Sequence, residues 1–143
     1  MTVFIDTAVI MYAAGASHPM RQPCRELIDG VVEGRLDATV SVEVVQEILH
    51  RFSGSGRREV GVTMAEAALD LFAPVLPITD RVMRHMPALF AEYEDLSARD
   101  LVHVATCREV GIDVIVSPDR GFDAVEGLQR LDPTDAPGAL LAG

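Results

Sequence analysis

The sequence contains no lysine: all twelve of its basic residues are arginine. A phosphate-binding loop, a Schiff-base enzyme, a receiver domain and a haloacid-type phosphatase each depend on a lysine ammonium, and none of them fits. Cysteine is nearly as scarce. Cys24 and Cys107 lie far apart with no CxxC and no His/Cys cluster. That argues against a zinc site and for free buried thiols in a reducing compartment. Long apolar runs are also missing, so no membrane span is expected. The opening Met1-Thr-Val-Phe-Ile-Asp6 lacks the basic region of a secretory signal, which points to a soluble, cytoplasmic chain.

What remains is an ordinary balance for one globular domain, with 49% hydrophobic and 24% charged residues over 143 positions. Such a chain can bury a core without staples. Its net charge of −10, from 22 acids against 12 bases, speaks against a nucleic-acid binder unless some of the acids hold cations.

Short apolar runs alternate with helical spacings. Val3-Phe4-Ile5 reads as a buried strand, and Pro19 to Val32 as a helix with Met20, Cys24, Leu27, Ile28 and Val31 inward. Ala38-Thr39-Val40 is a second strand, and Ser41 is placed to cap a helix whose stripe is Val42, Val45, Ile48, Leu49 and Phe52. Helices over Met64–Phe72, Asp80–Tyr93 and Ala98–Val110 follow, with Val75–Thr79 between the first two as an edge strand marked by Pro77. Val114–Ser117 is a further buried strand and Leu128–Leu131 a last one. The pattern predicts a three-layer α/β/α fold with a central parallel sheet of four to five strands over residues 1–131, and a loosely ordered tail over 132–143.

In such folds ligands sit beyond the carboxyl ends of the strands. Asp6 ends the first strand and Asp119 follows the Val114–Ser117 strand. Glu47 lies on the helix after the second strand, and Asp100 opens the helix before Val114. Together the four form a hard-cation site suited to Mg²⁺ or Mn²⁺. Two carboxylates about 4 Å apart repel by roughly 4 kcal/mol at an effective dielectric near 20, so such a group needs a cation or protons. Each acid also has a plainer role. Asp119 suits a turn, Asp100 a capping box with Ser97, Asp6 a helix cap, and Glu47 a solvated face. Glu43 competes with Glu47 but lies farther from the apolar arc, and Asp123 is a weaker fifth ligand or a helix-start acid. His103, one turn beyond Asp100, is a base or a packed structural histidine. Thr7 and Ser117 are short hydroxyl residues beside two of the acids, read as supporting groups or as caps. Arg51, Arg57 and Arg58 flank the Ser53–Gly56 connection and offer phosphate contacts, or simply a solvated surface.

Four ordered blocks make the chain familiar. Val3-Phe4-Ile5-Asp6-Thr7, Gln46-Glu47-Ile48-Leu49, Leu96-Ser97-Ala98-Arg99-Asp100-Leu101-Val102-His103 and Ile115-Val116-Ser117-Pro118-Asp119-Arg120-Gly121-Phe122 closely resemble a PIN domain of the VapC-type toxins of bacterial toxin–antitoxin pairs. The resemblance implies a Mg²⁺- or Mn²⁺-dependent endoribonuclease that cuts structured RNA, commonly tRNA or ribosomal RNA. It also implies silencing by a VapB-type antitoxin and a homodimer. Asp6, Glu47, Asp100 and Asp119 take the family's acidic positions, and Ser117 the small hydroxyl position. Ala8 departs from the family's usual asparagine, which predicts weaker support of Asp6. The segment Phe52–Phe72 is the expected contact for antitoxin or dimer. A non-catalytic PIN module, or a Mg²⁺-dependent phosphohydrolase of small molecules, is the alternative.

Overall fold

The computed structural model describes residues 1–142. Four short strands, β1 (Val3–Ile5), β2 (Ala38–Thr39), β3 (Val114–Val116) and β4 (Gln129–Leu131), form one sheet in the order β2-β1-β3-β4. All three pairings are parallel. Every residue of β1 and β3 is buried, as expected for central strands covered by helices on both faces. The helices are α1 (Thr7–Ala14), α2 (Arg21–Val32), α3 (Val42–Phe52), α4 (Arg58–Leu71), α5 (Asp80–Arg84), α6 (Met86–Glu92), α7 (Ala98–Val110) and α8 (Ala136–Leu140). Helix α7 ends where the sequence predicts, at Gly111, whose φ of 75° a side-chain-bearing residue rarely adopts. Among the described residues no helix is long and apolar enough to cross a membrane.

Four expectations need correction. The predicted fifth strand at Val75–Thr79 shrinks to a single bridge between Leu76 and Ser41, beside Pro77, which has no N–H for a ladder. The predicted helix over Asp80–Tyr93 breaks at His85, because Pro87 in the first turn of α6 cannot donate back to the preceding turn. Ser41 holds the N-cap position of α3, but its hydroxyl makes no capping bond; Leu76 O accepts from the Val42 N–H at 2.9 Å instead. The tail is structured through residue 142: α8 lies on α2, Ala136 is fully buried, and Leu141 covers Gly30. Gly143 lies outside the described residues.

Helix α4 starts well before Met64, because Gly61 rather than a large apolar residue faces α3 in its first turns. A Cβ at Gly61 would stand 2.9 Å from Phe52 Cβ, an atom fixed to the backbone. Gly61→Ala is therefore expected to lower stability by about 1–2 kcal/mol, since overpacking outweighs the gain in helix propensity. Denaturant midpoints at constant m-value measure this, and a stabilised variant would refute the close approach.

Candidate active site

Strand register brings the first elements of the site together. Ile5 pairs with Val116, so the next residues, Asp6 and Ser117, leave the sheet side by side at its carboxyl edge. Ser117 Oγ donates to Asp6 Oδ2 at 2.6 Å and accepts from the Asp119 N–H at 3.0 Å. One buried hydroxyl thus ties the end of β1 to the turn after β3. Asp119 itself accepts from the Gly121 N–H at 2.8 Å through Oδ1, capping the 3₁₀ helix Arg120–Ala124. Across the cleft, Ser97 Oγ caps α7 by accepting from the Asp100 N–H at 3.2 Å, and it donates to Asp100 Oδ2 at 2.9 Å. Asp119 thus has the turn role foreseen for it, whereas the Asp100 carboxylate meets the Ser97 hydroxyl rather than the Ser97 N–H of a capping box, and both residues line the cleft.

That cleft, about 290 Å³, is lined by all four predicted acids, Asp6, Glu47, Asp100 and Asp119, together with Thr7, Ala8, Arg51 and Arg99. The ligand atoms of Asp6, Glu47 and His103 lie within 4.8 Å of one another. Thr7 Oγ1 is buried beside them with no well-aligned hydrogen-bond partner. Four carboxylates facing one cleft, in a chain with no lysine to pair them, are a donor set that fits a hard divalent cation.

Comparison with known proteins decides the family. The PIN domain family model matches residues 3–128. The chain belongs to the PIN-domain family. This PIN domain is 34% identical over 129 residues to the VapC ribonuclease Mb1869c of Mycobacterium bovis, covering 90% of this chain and 98% of that one. It is 33% identical over 146 residues to ribonuclease VapC7 of Mycobacterium tuberculosis, covering 99% and 98%. Among solved structures, FitAcB from Neisseria gonorrhoeae matches its fold with a TM-score of 0.73 at 18% identity, over 92% of this chain and 98% of that one. VapBC2 from Rickettsia felis, bound to a DNA fragment from its promoter, matches at 0.71 and 15%, with the same coverage.

Other predicted site residues separate within the PIN domain. Asp123 does not reach the cleft: it forms a two-bond pair with Arg130, at 2.8 and 3.2 Å. Arg130 Nη1 also donates to the Ser117 carbonyl at 2.9 Å, so Asp123 reaches the site only through Arg130 and Ser117. Glu43 lies one turn from Glu47 and outside the cleft lining; burial, then the charge of Glu47, push its carboxyl above the ordinary range. Arg51 lines the cleft, whereas Arg57 lies over the Phe52 ring at 5.7 Å and Arg58 borders a separate hollow beside Phe52. At position 8 there is only a methyl group, and Asp6 takes its support from Ser117 and from its own N–H, which donates to Val116 O at 3.0 Å.

Sequence reasoning passed over Arg99, whose place beside Asp100 in the first turn of α7 was the available signal. It also underrated His103. Buried against Phe4, the imidazole brings Nε2 to 3.0 Å from Glu47 Oε1 and 3.7 Å from Asp6 Oδ1. Burial pushes Asp6 above the ordinary aspartate range, although His103 and Ser117 pull it back. Burial also works to raise Glu47, but the hydrogen-bonding and charge of His103 prevail and hold it below its usual value. For His103, burial favours the neutral ring, yet Glu47 and Asp6 outweigh it and lift the pKa above 6.5.

A histidine with a raised folded-state pKa contributes stability that is fully present below pH 6.5 and is lost as the pH rises through the raised value. The metal-free protein is therefore expected to melt at progressively lower temperature as pH climbs above 6.5, and His103→Gln should flatten that slope. Melts in EDTA test this. Kept below pH 9, they avoid the buried thiols Cys107 and Cys24, which burial pushes up to about 12 and about 11, the second aided by Asp132. A flat wild-type profile would overturn the assignment.

Proposed function

We propose that this PIN domain is a metal-dependent endoribonuclease, the cytoplasmic toxin of a toxin–antitoxin pair. One observation carries the reading: four carboxylates from distant parts of the sequence line a single cleft at the carboxyl edge of the sheet. Asp6, Glu47, Asp100 and Asp119 would hold Mg²⁺ or Mn²⁺, which supplies a Lewis acid for a phosphate oxygen and lowers the pKa of a bound water. Asp6 is the fixed member, buried and oriented by Ser117. Glu47, kept ionised beside His103, faces it and is suited to accept the proton of an attacking water. Arg99 and Arg51 at the cleft rim are placed for the flanking phosphates of the strand.

Relatives named VapC ribonucleases support the activity, and the solved neighbours include a toxin–antitoxin complex from Klebsiella pneumoniae. For the antitoxin we assign the apolar groove of about 470 Å³ between α1, α2 and α4, lined by the half-buried Ile10, Ile28, Met64 and Leu71. Structured RNA, tRNA or ribosomal RNA, is the substrate class, and the chain acts as a homodimer. Total RNA incubated with the purified chain and Mn²⁺ tests the proposal through end mapping. Discrete cuts with 5′-phosphate ends, absent in EDTA and suppressed by the co-expressed antitoxin, are expected. Intact RNA alongside hydrolysis of a small phosphomonoester would instead establish the phosphohydrolase.

A further inference from the structure

A second hollow, about 350 Å³, opens beside the acidic cleft and shares two of its wall residues, Ala8 and Arg51. Its character is the reverse of the cleft's. No acid lines it, although the chain carries a net charge of −10. Its walls include Met11 and Tyr12 of α1, the connecting loop through His18, and the Arg51 side chain of α3. The His18 and Tyr12 rings stack with centroids 4.6 Å apart and planes inclined by 27°. His18 is exposed on its loop, yet it is held in place: Nδ1 accepts from the Met20 N–H at 3.0 Å. Gly15 lets the loop fold back, since a Cβ there would meet the Met11 carbonyl oxygen at 2.8 Å. Arg51 makes no ion pair or hydrogen bond among the described residues and is exposed.

Resting on the ribonuclease reading, we propose that this hollow is a nucleobase subsite for the RNA strand that crosses the cleft. The base next to the scissile phosphate extends the His18–Tyr12 stack, and Arg51 bonds the intervening phosphate. The chemistry matches each group. Aromatic faces bind bases of any identity by stacking, and a free guanidinium suits a phosphate oxygen. Ala8, which carries only a methyl group, lines both the hollow and the cleft. The subsite gives an acidic protein a way to grip an unpaired stretch of a structured RNA without a basic groove.

Equilibrium binding in EDTA separates this from general electrostatics. The probes are a fluorescent randomised RNA octamer and an abasic ribose-phosphate octamer, each titrated at low salt. His18→Ala is expected to weaken the RNA octamer about tenfold, the scale of one stacked base, and to leave the abasic octamer unaffected. His18→Phe, which keeps the ring, should bind the RNA octamer within about twofold of wild type. Arg51→Gln should weaken both probes. Equal effects of His18→Ala on both probes, or none on either, would overturn the subsite, and so would failure of His18→Phe to retain binding once a melt shows it folded. A Mn²⁺ cleavage assay on the wild type reports separately on the ribonuclease reading. Base-dependent binding without cutting would sink that reading and leave the subsite standing, whereas cutting with the base-independent result does the opposite.

Discussion

Millimolar Mn²⁺ is expected to raise the melting temperature of the metal-free protein by ~10 °C, and Asp6→Asn should remove that rise together with cleavage. A cation that binds only the folded state adds about 2.7 kcal/mol at a hundredfold excess over Kd. Near this chain length each kcal/mol moves the midpoint by roughly 4 °C. Asp6 is the residue to change because it is buried, takes the Ser117 hydroxyl on one oxygen, and has His103 near the other. Asparagine preserves its shape and removes the charge that burial penalises. The metal-free Asp6→Asn protein should therefore be no less stable than wild type. An amide is a poor ligand for a hard dication, and losing several kcal/mol of charge stabilisation slows cleavage by about a thousandfold. Melts with and without Mn²⁺, paired with initial rates on RNA, provide the check. Normal cutting by the variant would end the case for Asp6 as a ligand.

The second large effect contrasts two glutamates on one helix. Glu47→Gln should slow cleavage by at least about a hundredfold, whereas Glu43→Gln should stay within about twofold. Glu47 lines the cleft and meets His103 at 3.0 Å. Glu43 is one turn away and absent from the lining. Burial, and then the charge of Glu47, raise its pKa, so its neutralisation removes a penalised charge without removing a ligand. Single-turnover rates at saturating Mn²⁺ distinguish the two, and a crippled Glu43→Gln with a normal Glu47→Gln would reverse the assignment.

The parts legible in the sequence were those whose cause is local. Buried runs mark β1 and β3, and a capping serine and a terminal glycine bound α7, whereas the stripe expected on α3 is only partly right: Ile48 is buried, but Val42 and Leu49 are exposed and Val44 is buried in their place. The four acids could be gathered because parallel sheets put loop ends on one edge, a rule that needs only strand order. Hidden features depended on partners remote in sequence or on small residues. Gly61 carries the start of α4 by fitting Phe52, which no hydrophobic periodicity registers. Asp123 is drawn away by Arg130, and α8 is held by burial of Ala136 and the contact of Leu141 over Gly30. His103 looked like an ordinary core histidine because its burial was predictable and its neighbours Glu47 and Asp6 were not. Helix α1 offers no stripe to read, because its sequence is apolar on nearly every side, and Asp6 holds its N-cap position without the side-chain capping bond the sequence suggests.

The hydrogen bond between Ser117 and Asp6 joins residues separated by 111 positions. It cannot form during synthesis until β3 has left the ribosome and inserted beside β1. Until then the nascent chain holds Asp6, Glu47 and Asp100 on unconnected pieces, and the strand that fixes Asp6 is missing. Sheet closure of this kind is a slow, non-local step compared with formation of the helices around it. Assembly of the cleft is therefore tied to the end of synthesis: until β3 is in place, Asp6 lacks the hydroxyl that orients it.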